Sequence, residues 1–195
     1  MIELMLAALL VPLIAFAIYA NFNSGVKIWR RLHQQTSTED LMIFSHKVSR
    51  NFESLFKYTP IAFEGNEENI SFAALIETDV LLGGDRGIGQ IRLFYDPGSN
   101  TIKREIKNLN QIYRERDSKI ETILGGVSHF KATYLVENKK EKTFEWLEEW
   151  ADRPKELPLA VRFEFTWLNA SGQRQVRKTF EIPSGGPDGE KNAPL

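Results

Sequence analysis

Leu4-Met5-Leu6-Ala7-Ala8-Leu9-Leu10-Val11-Pro12-Leu13-Ile14-Ala15-Phe16-Ala17-Ile18-Tyr19-Ala20 carries no polar side chain apart from the Tyr19 hydroxyl, and Glu3 is the one charge in the first twenty residues. At a rise of about 1.5 Å per residue, a helix from Leu4 to Phe22 spans roughly 28 Å, close to one hydrocarbon thickness. Three readings compete for this run. A cleaved secretory signal would have a basic stretch before the apolar run, which is absent, and a small-x-small site after it, where no convincing one follows. A buried core helix is disfavoured by an unbroken apolar run at an extreme terminus. A transmembrane helix is the favoured reading. Pro12 removes one backbone donor at mid-span and would loosen or kink such a helix.

The remainder is an ordinary polar globular sequence. The chain has 195 residues, which fits an anchor and one domain large enough to bury a core. A net charge of -1 supplies no basic field for nucleic acid. There are no cysteines, so disulfides and thiolate metal sites are excluded.

After Asn21 to Gly25, apolar residues recur at Val26, Trp29 and Leu32, and then at Leu41, Phe44, Val48, Phe52 and Leu55. The second set steps by three and four, which makes one stripe on a helix. The spacing predicts an amphipathic stalk helix over 26–59, interrupted near Gln34 to Thr38 where Ser37 to Asp40 looks like a capping box, and ended by Pro60. From Ile61 the pattern turns to strands. Ile70 to Leu75, Gln90 to Tyr95 and Thr101 to Ile106 are β-rich, and Asp96-Pro97-Gly98-Ser99-Asn100 is a hairpin turn between the last two. Val127 to Val136 alternates, less regularly at its ends. Val161 to Leu168 and Val176 to Ile182 form a second hairpin across Asn169 to Gly172. Leu109 to Ile120 reads as either a short helix or an exposed strand. The segment 184–195 is rich in glycine, proline and charge and reads as a disordered tail. The expected organisation is a transmembrane helix at 1–25, a stalk helix at 26–59, a β-rich head at 60–183 and a tail at 184–195.

Met1-Ile2-Glu3-Leu4 resembles the interior of a type IV prepilin signature, in which a basic leader ends in Gly and is followed by Phe-Thr-Leu-Ile-Glu-Leu. Glu3 falls on the signature glutamate. In the head, Gly125-Gly126-Val127-Ser128-His129-Phe130, Tyr134-Leu135, Trp146, Trp150 and Leu157-Pro158-Leu159-Ala160-Val161-Arg162 follow in that order. This series resembles the J-type minor pseudopilin of the type II secretion system. The resemblance implies an α+β, pilin-like fold, with a long N-terminal helix packed on an antiparallel β-sheet head. It implies a single-pass inner-membrane protein with its head in the periplasm. Its function would be structural, at the tip of the secretion pseudopilus, helping export folded proteins across the outer membrane. The implied partners are the I-type and K-type minor pseudopilins, the major pseudopilin, the inner membrane and, for a chain with an upstream leader, prepilin peptidase, which cuts and methylates. In-frame codons before Met1 are then expected to encode Gly-Phe-Thr or similar behind Lys or Arg. Such a leader would also reverse the orientation that Lys27, Arg30 and Arg31 alone would dictate by the positive-inside rule.

Glu3 is the one assembly residue this reading names. By the resemblance, it meets the free amino terminus of a neighbouring subunit. The simpler account is an acidic residue in a first helical turn, worth roughly 0.3–1 kcal/mol against the helix dipole. Other candidates reduce to structure. Gly83-Gly84-Asp85-Arg86-Gly87-Ile88-Gly89 lacks the Walker lysine and the dinucleotide spacing, and reads as a turn. His33, His46 and His129 show no ligand spacing. Glu67-Glu68, Glu148-Glu149 and Asp152 read as solvated surface rather than a calcium loop. Trp146 and Trp150 read as core before partner surface. No nucleophile with a base is recognisable, so no enzyme, cofactor or metal is expected. The alternatives in play are a minor pilin of a type IV pilus or DNA-uptake fibre, a bitopic membrane protein with a ligand-binding head, and a tethered enzyme.

Overall fold

The computed structural model describes residues 2–77, 86–116, 118–138, 141, 143–151, 153, 156–169 and 172–185, without the side chains of 2–14, 17, 20, 28–38 and 86. The glycines at 83 and 84, Asp85, Asp152 and most of the expected tail fall outside those residues. The chain divides into two units, Met1–Asp40 and Leu41–Leu195.

The first element, α1 (Ile2–Glu53), is a single helix of 52 residues. Its backbone is helical through Gln34 to Thr38, so the expected interruption is absent. The helix also stops before Pro60. Ser54 makes the last helical bond, to the Arg50 carbonyl. Leu55 then bridges Ala74, and the Phe56 amide donates to the Ala73 carbonyl at 3.3 Å. A strand edge captures the chain, and tertiary pairing sets the boundary ahead of the local proline signal.

The second unit is dominated by strands. β1 (Glu64–Gly65), β2 (Asn69–Glu77), β3 (Arg86–Asp96), β4 (Thr101–Asn108) and β5 (Lys119–Gly125) form one antiparallel sheet in chain order. A five-residue helix, α2 (Leu109–Tyr113), starts on an Asn108–Gln111 capping box between β4 and β5. The ambiguous stretch from Leu109 to Ile120 is thus first helix and then strand. β6 (Val127–Asn138), β7 (Thr143–Leu147), β8 (Ala160–Asn169) and β9 (Gly172–Glu181) form a second antiparallel sheet in the order β7-β6-β8-β9. Both expected hairpins form, with Asp96 paired to Thr101 and Asn169 to Gly172.

The expected pilin-like fold, one helix packed on one antiparallel sheet, is therefore corrected. Two sheets make the architecture, and Phe44, Val48 and Phe52 of α1 share their core. The physical reason is that both sheets carry an apolar row that must be covered. Phe72, Ile91 and Leu93 supply one row, and Val161, Phe163 and Phe165 the other. Phe52 of α1 reaches both, with ring centroids 5.3 Å from Phe72 and 6.3 Å from Phe163. Phe44 meets Phe165 edge-on at 5.8 Å.

The membrane reading is corrected as well. Among the described residues no helix is long and apolar enough to cross a membrane. The expected single-pass inner-membrane placement with a periplasmic head, and its transmembrane segment at 1–25, does not stand. The described side chains of this stretch mix Phe16, Ile18, Tyr19 and Phe22 with Asn21, Asn23 and Ser24, and all of these are exposed.

Gly126 joins the two sheets. Its φ of +70° belongs to the left-handed region, and a Cβ there would lie 2.5 Å from the Leu168 carbonyl oxygen. Only glycine meets both demands without strain. The irregular alternation of β6 also has a cause. His129 sits at φ +53° inside a bulge between Ser128 and Lys131. One extra residue there lets Val127 and Phe130 both point into the core.

Candidate assembly surface

Glu3 lies in the first turn of α1, and its side chain lies outside the described residues. The described side chains further along the first unit carry more information. Ala15, Ile18, Tyr19 and Phe22 recur at helical spacing and so lie on one face of α1. All four are exposed, at 64% for Ile18, 67% for Tyr19 and 70% for Phe22, and Phe16 beside them is exposed at 73%. Val26 continues the stripe, half-buried. Contiguous apolar exposure of this kind marks an interaction site.

The second unit holds the end of the same helix by charge as well as by packing. Lys47 of α1 donates to Glu121 of β5 at 2.5 Å, and Arg104 of β4 donates to the other Glu121 oxygen at 2.6 Å. Arg104 also donates to the Asn51 side-chain oxygen at 3.1 Å. The hydrogen bonds from Lys47 and Arg104 hold the Glu121 carboxyl below the usual carboxylate range. On the outer face of the same sheet, burial works to raise the Glu105 carboxyl. Ser118, Lys107 and Arg92 overcome that and leave it lowered. In the β3–β4 turn, Lys103 and Ser99 pull Asp96 down to about 2.

The acidic pairs read from sequence are partly joined. Lys131 of β6 binds Glu67 at 2.9 Å and Glu148 at 2.5 Å, so a lysine occupies the place where a cation would sit. These two carboxylates push the lysine ammonium above its ordinary range. Among the described residues no group of three or more His, Asp or Glu side chains could hold a metal ion. His46 and His129 are both exposed, and the side chain of His33 is outside the described residues.

The tryptophans divide between the two readings. Trp150 is 1% exposed, beside Phe63 and Tyr134 in the core. Burial raises the Tyr134 phenol well above its ordinary value, and its hydroxyl donates to the Asn66 carbonyl at 2.7 Å. Trp146 is only half-buried. It lies on the outer face of β7, and its ring covers the Arg162 guanidinium at 3.6 Å. Phe144, two residues earlier on that face, is 64% exposed. Sequence reasoning placed both tryptophans in the core. The period-2 alternation from Phe144 to Trp146, opposite in phase to Leu147, carried the signal that one of them faces outward.

No known protein family matches this chain, and no curated protein is detectably similar to it.

Proposed function

We propose that this protein is a structural subunit that assembles with other chains through the exposed apolar face of α1. The kind of assembly that best fits the motif series from Gly125 to Arg162 is a type II secretion pseudopilus, with this chain a J-type minor subunit near its tip. Its partners would be I-type and K-type minor subunits and the major pseudopilin, and the assembly would help export folded proteins across the outer membrane. The observation that carries the reading is the stripe of Ala15, Ile18, Tyr19 and Phe22, which is apolar, on one face and exposed. Four such residues at helical spacing are the anchors a helix offers to another helix. Glu3, in the first turn of α1, would supply the counter-charge for a neighbour's amino terminus.

The native chain has no cysteine, so a single Ile18→Cys reports proximity without background. In the producing cell, Ile18→Cys is expected to form disulfide-linked species with cysteine-bearing sibling subunits. Adding Phe22→Asp or Glu3→Ala is expected to abolish them while leaving the amount of folded chain unchanged. If Ile18→Cys links to no sibling, or the links survive both substitutions, the reading fails.

A further inference from the structure

The second sheet has two free edges, and they match each other. In the order β7-β6-β8-β9, the outer sides of β7 and β9 receive no backbone hydrogen bond among the described residues. β9 is long, regular and fully paired to β8 from Gly172 to Glu181, without a bulge. It carries Arg174, Arg177 and Lys178. Arg177 pairs with Glu164 at 2.7 Å, whereas Arg174 and Lys178 make no ion pair among the described residues. β7 and the residues after it carry Glu145, Glu148 and Glu149. Glu148 is held by Lys131, whereas Glu145 and Glu149 make no ion pair among the described residues. One free edge is thus basic and the other acidic, and all four unpaired charges are exposed.

We infer that the β9 edge of one molecule pairs with the β7 edge of a second copy, extending the four-stranded sheet head to tail. Every strand pair in this sheet is antiparallel, so a copy displaced along the sheet presents β7 antiparallel to β9. The side chains select one register. With Glu145 opposite Lys178, Leu147 falls opposite Val176, Trp146 opposite Arg177 and Phe144 opposite Thr179. The inner row then pairs an acid with a base and an apolar residue with an apolar residue. The outer row sets an aromatic ring beside a guanidinium. A slip by two residues sets Glu145 against Val176 or Phe180 and loses the ion pair, and a slip by one exchanges the faces. Pairing β9 with β9 would bring Arg174 and Lys178 against like charges, so the basic edge rejects its own kind. The contact uses two different surfaces, so it is heterologous and does not close at two copies. It shares no residue with the α1 stripe and stands independently of that reading.

The test uses the full chain carrying Phe22→Asp, which removes association through α1. Sedimentation should show concentration-dependent self-association that weakens with added salt. Hydrogen exchange should slow on association at β7 and β9 and at no other strand. Lys178→Glu or Glu145→Lys alone should weaken association about tenfold, since each replaces an attraction with a repulsion. The double variant Lys178→Glu/Glu145→Lys should return to within about threefold of the parent. An equal mixture of the two single variants should associate where each alone does not. A monomeric parent, single reversals without effect, or a double variant as weak as the singles would each overturn the inference. Circular dichroism of each variant checks that the fold is intact.

Discussion

The two parts of α1 make opposite use of the same helical period. In the first unit, Ala15, Ile18, Tyr19 and Phe22 form an apolar stripe that is exposed. In the second unit, Phe44, Val48 and Phe52 form a stripe of the same kind that is fully buried, at 0% exposure each. Periodicity therefore announces that a face wants a partner and does not say where the partner is. For the later stripe the partner is the chain itself, in two sheets. For the earlier one nothing among the described residues covers it.

The sharpest way to break this comparison is to truncate both stripes and read stability and assembly side by side. Phe52→Ala removes a ring that touches Phe72, Phe163 and Phe180. It should cost about 3–5 kcal/mol, read as a fall in the urea midpoint at constant slope. Phe22→Ala should leave that midpoint within about 0.5 kcal/mol of the parent, because an exposed ring loses little on truncation. Its effect should fall on cross-linking to other chains. Equal losses of stability from the two substitutions would mean that the early stripe is covered after all.

Much of this was legible from alternation. The buried row of β8, Val161, Phe163 and Phe165, and the turn from Asp96 to Asn100 follow from residue order alone. What alternation cannot give is which strands share a sheet, because that depends on contacts between residues far apart in sequence. The inward rows of β2 and β8 look alike on paper, and nothing in either says that they lie in different sheets. The helix end was misread for a similar reason. Pro60 is a local stop signal, whereas Leu55 is taken by Ala74, almost twenty residues away in sequence. The break in β6 at His129 was visible as irregular alternation, and only the bulge explains it. Of the surface, the apolar run at the N-terminus was plain, but the complementarity of β7 and β9 needed the strand order. Glu3, the one assembly residue named from sequence, lies among side chains outside the described residues.

A smaller effect tests how the later part of α1 is held. Arg104→Met keeps the bulk of the side chain and removes the donor shared by Asn51 and Glu121. Asn51 is 6% exposed and its side-chain nitrogen already lacks a partner, so its oxygen would be stranded too. The cost should be about 1–3 kcal/mol in the urea midpoint. A double-mutant cycle with Asn51→Leu should recover part of it, because the leucine removes the stranded group. Full additivity of the two changes would show that the hydrogen bond contributes nothing.

The smallest effect is in acid. Glu121 is ionised in the folded state below its ordinary range, because Lys47 and Arg104 donate to it. A depressed carboxylate contributes stability that is fully present above its unfolded value, near 4.5. That stability is lost as the pH falls through the folded value. Asp96, held at about 2 by Lys103 and Ser99, extends the same loss to lower pH. Glu121 is about a third exposed, so solvent screens the pair, and Glu121→Gln should cost only about 1 kcal/mol at neutral pH. The more discriminating readout is the shape of the acid profile. The parent should lose stability from about pH 4.5 downward, and Glu121→Gln should flatten the upper part of that fall while leaving the part near pH 2 to Asp96. Parallel profiles for the two chains would mean that the charge pair does not hold the helix end, and that Phe44, Val48 and Phe52 hold it unaided.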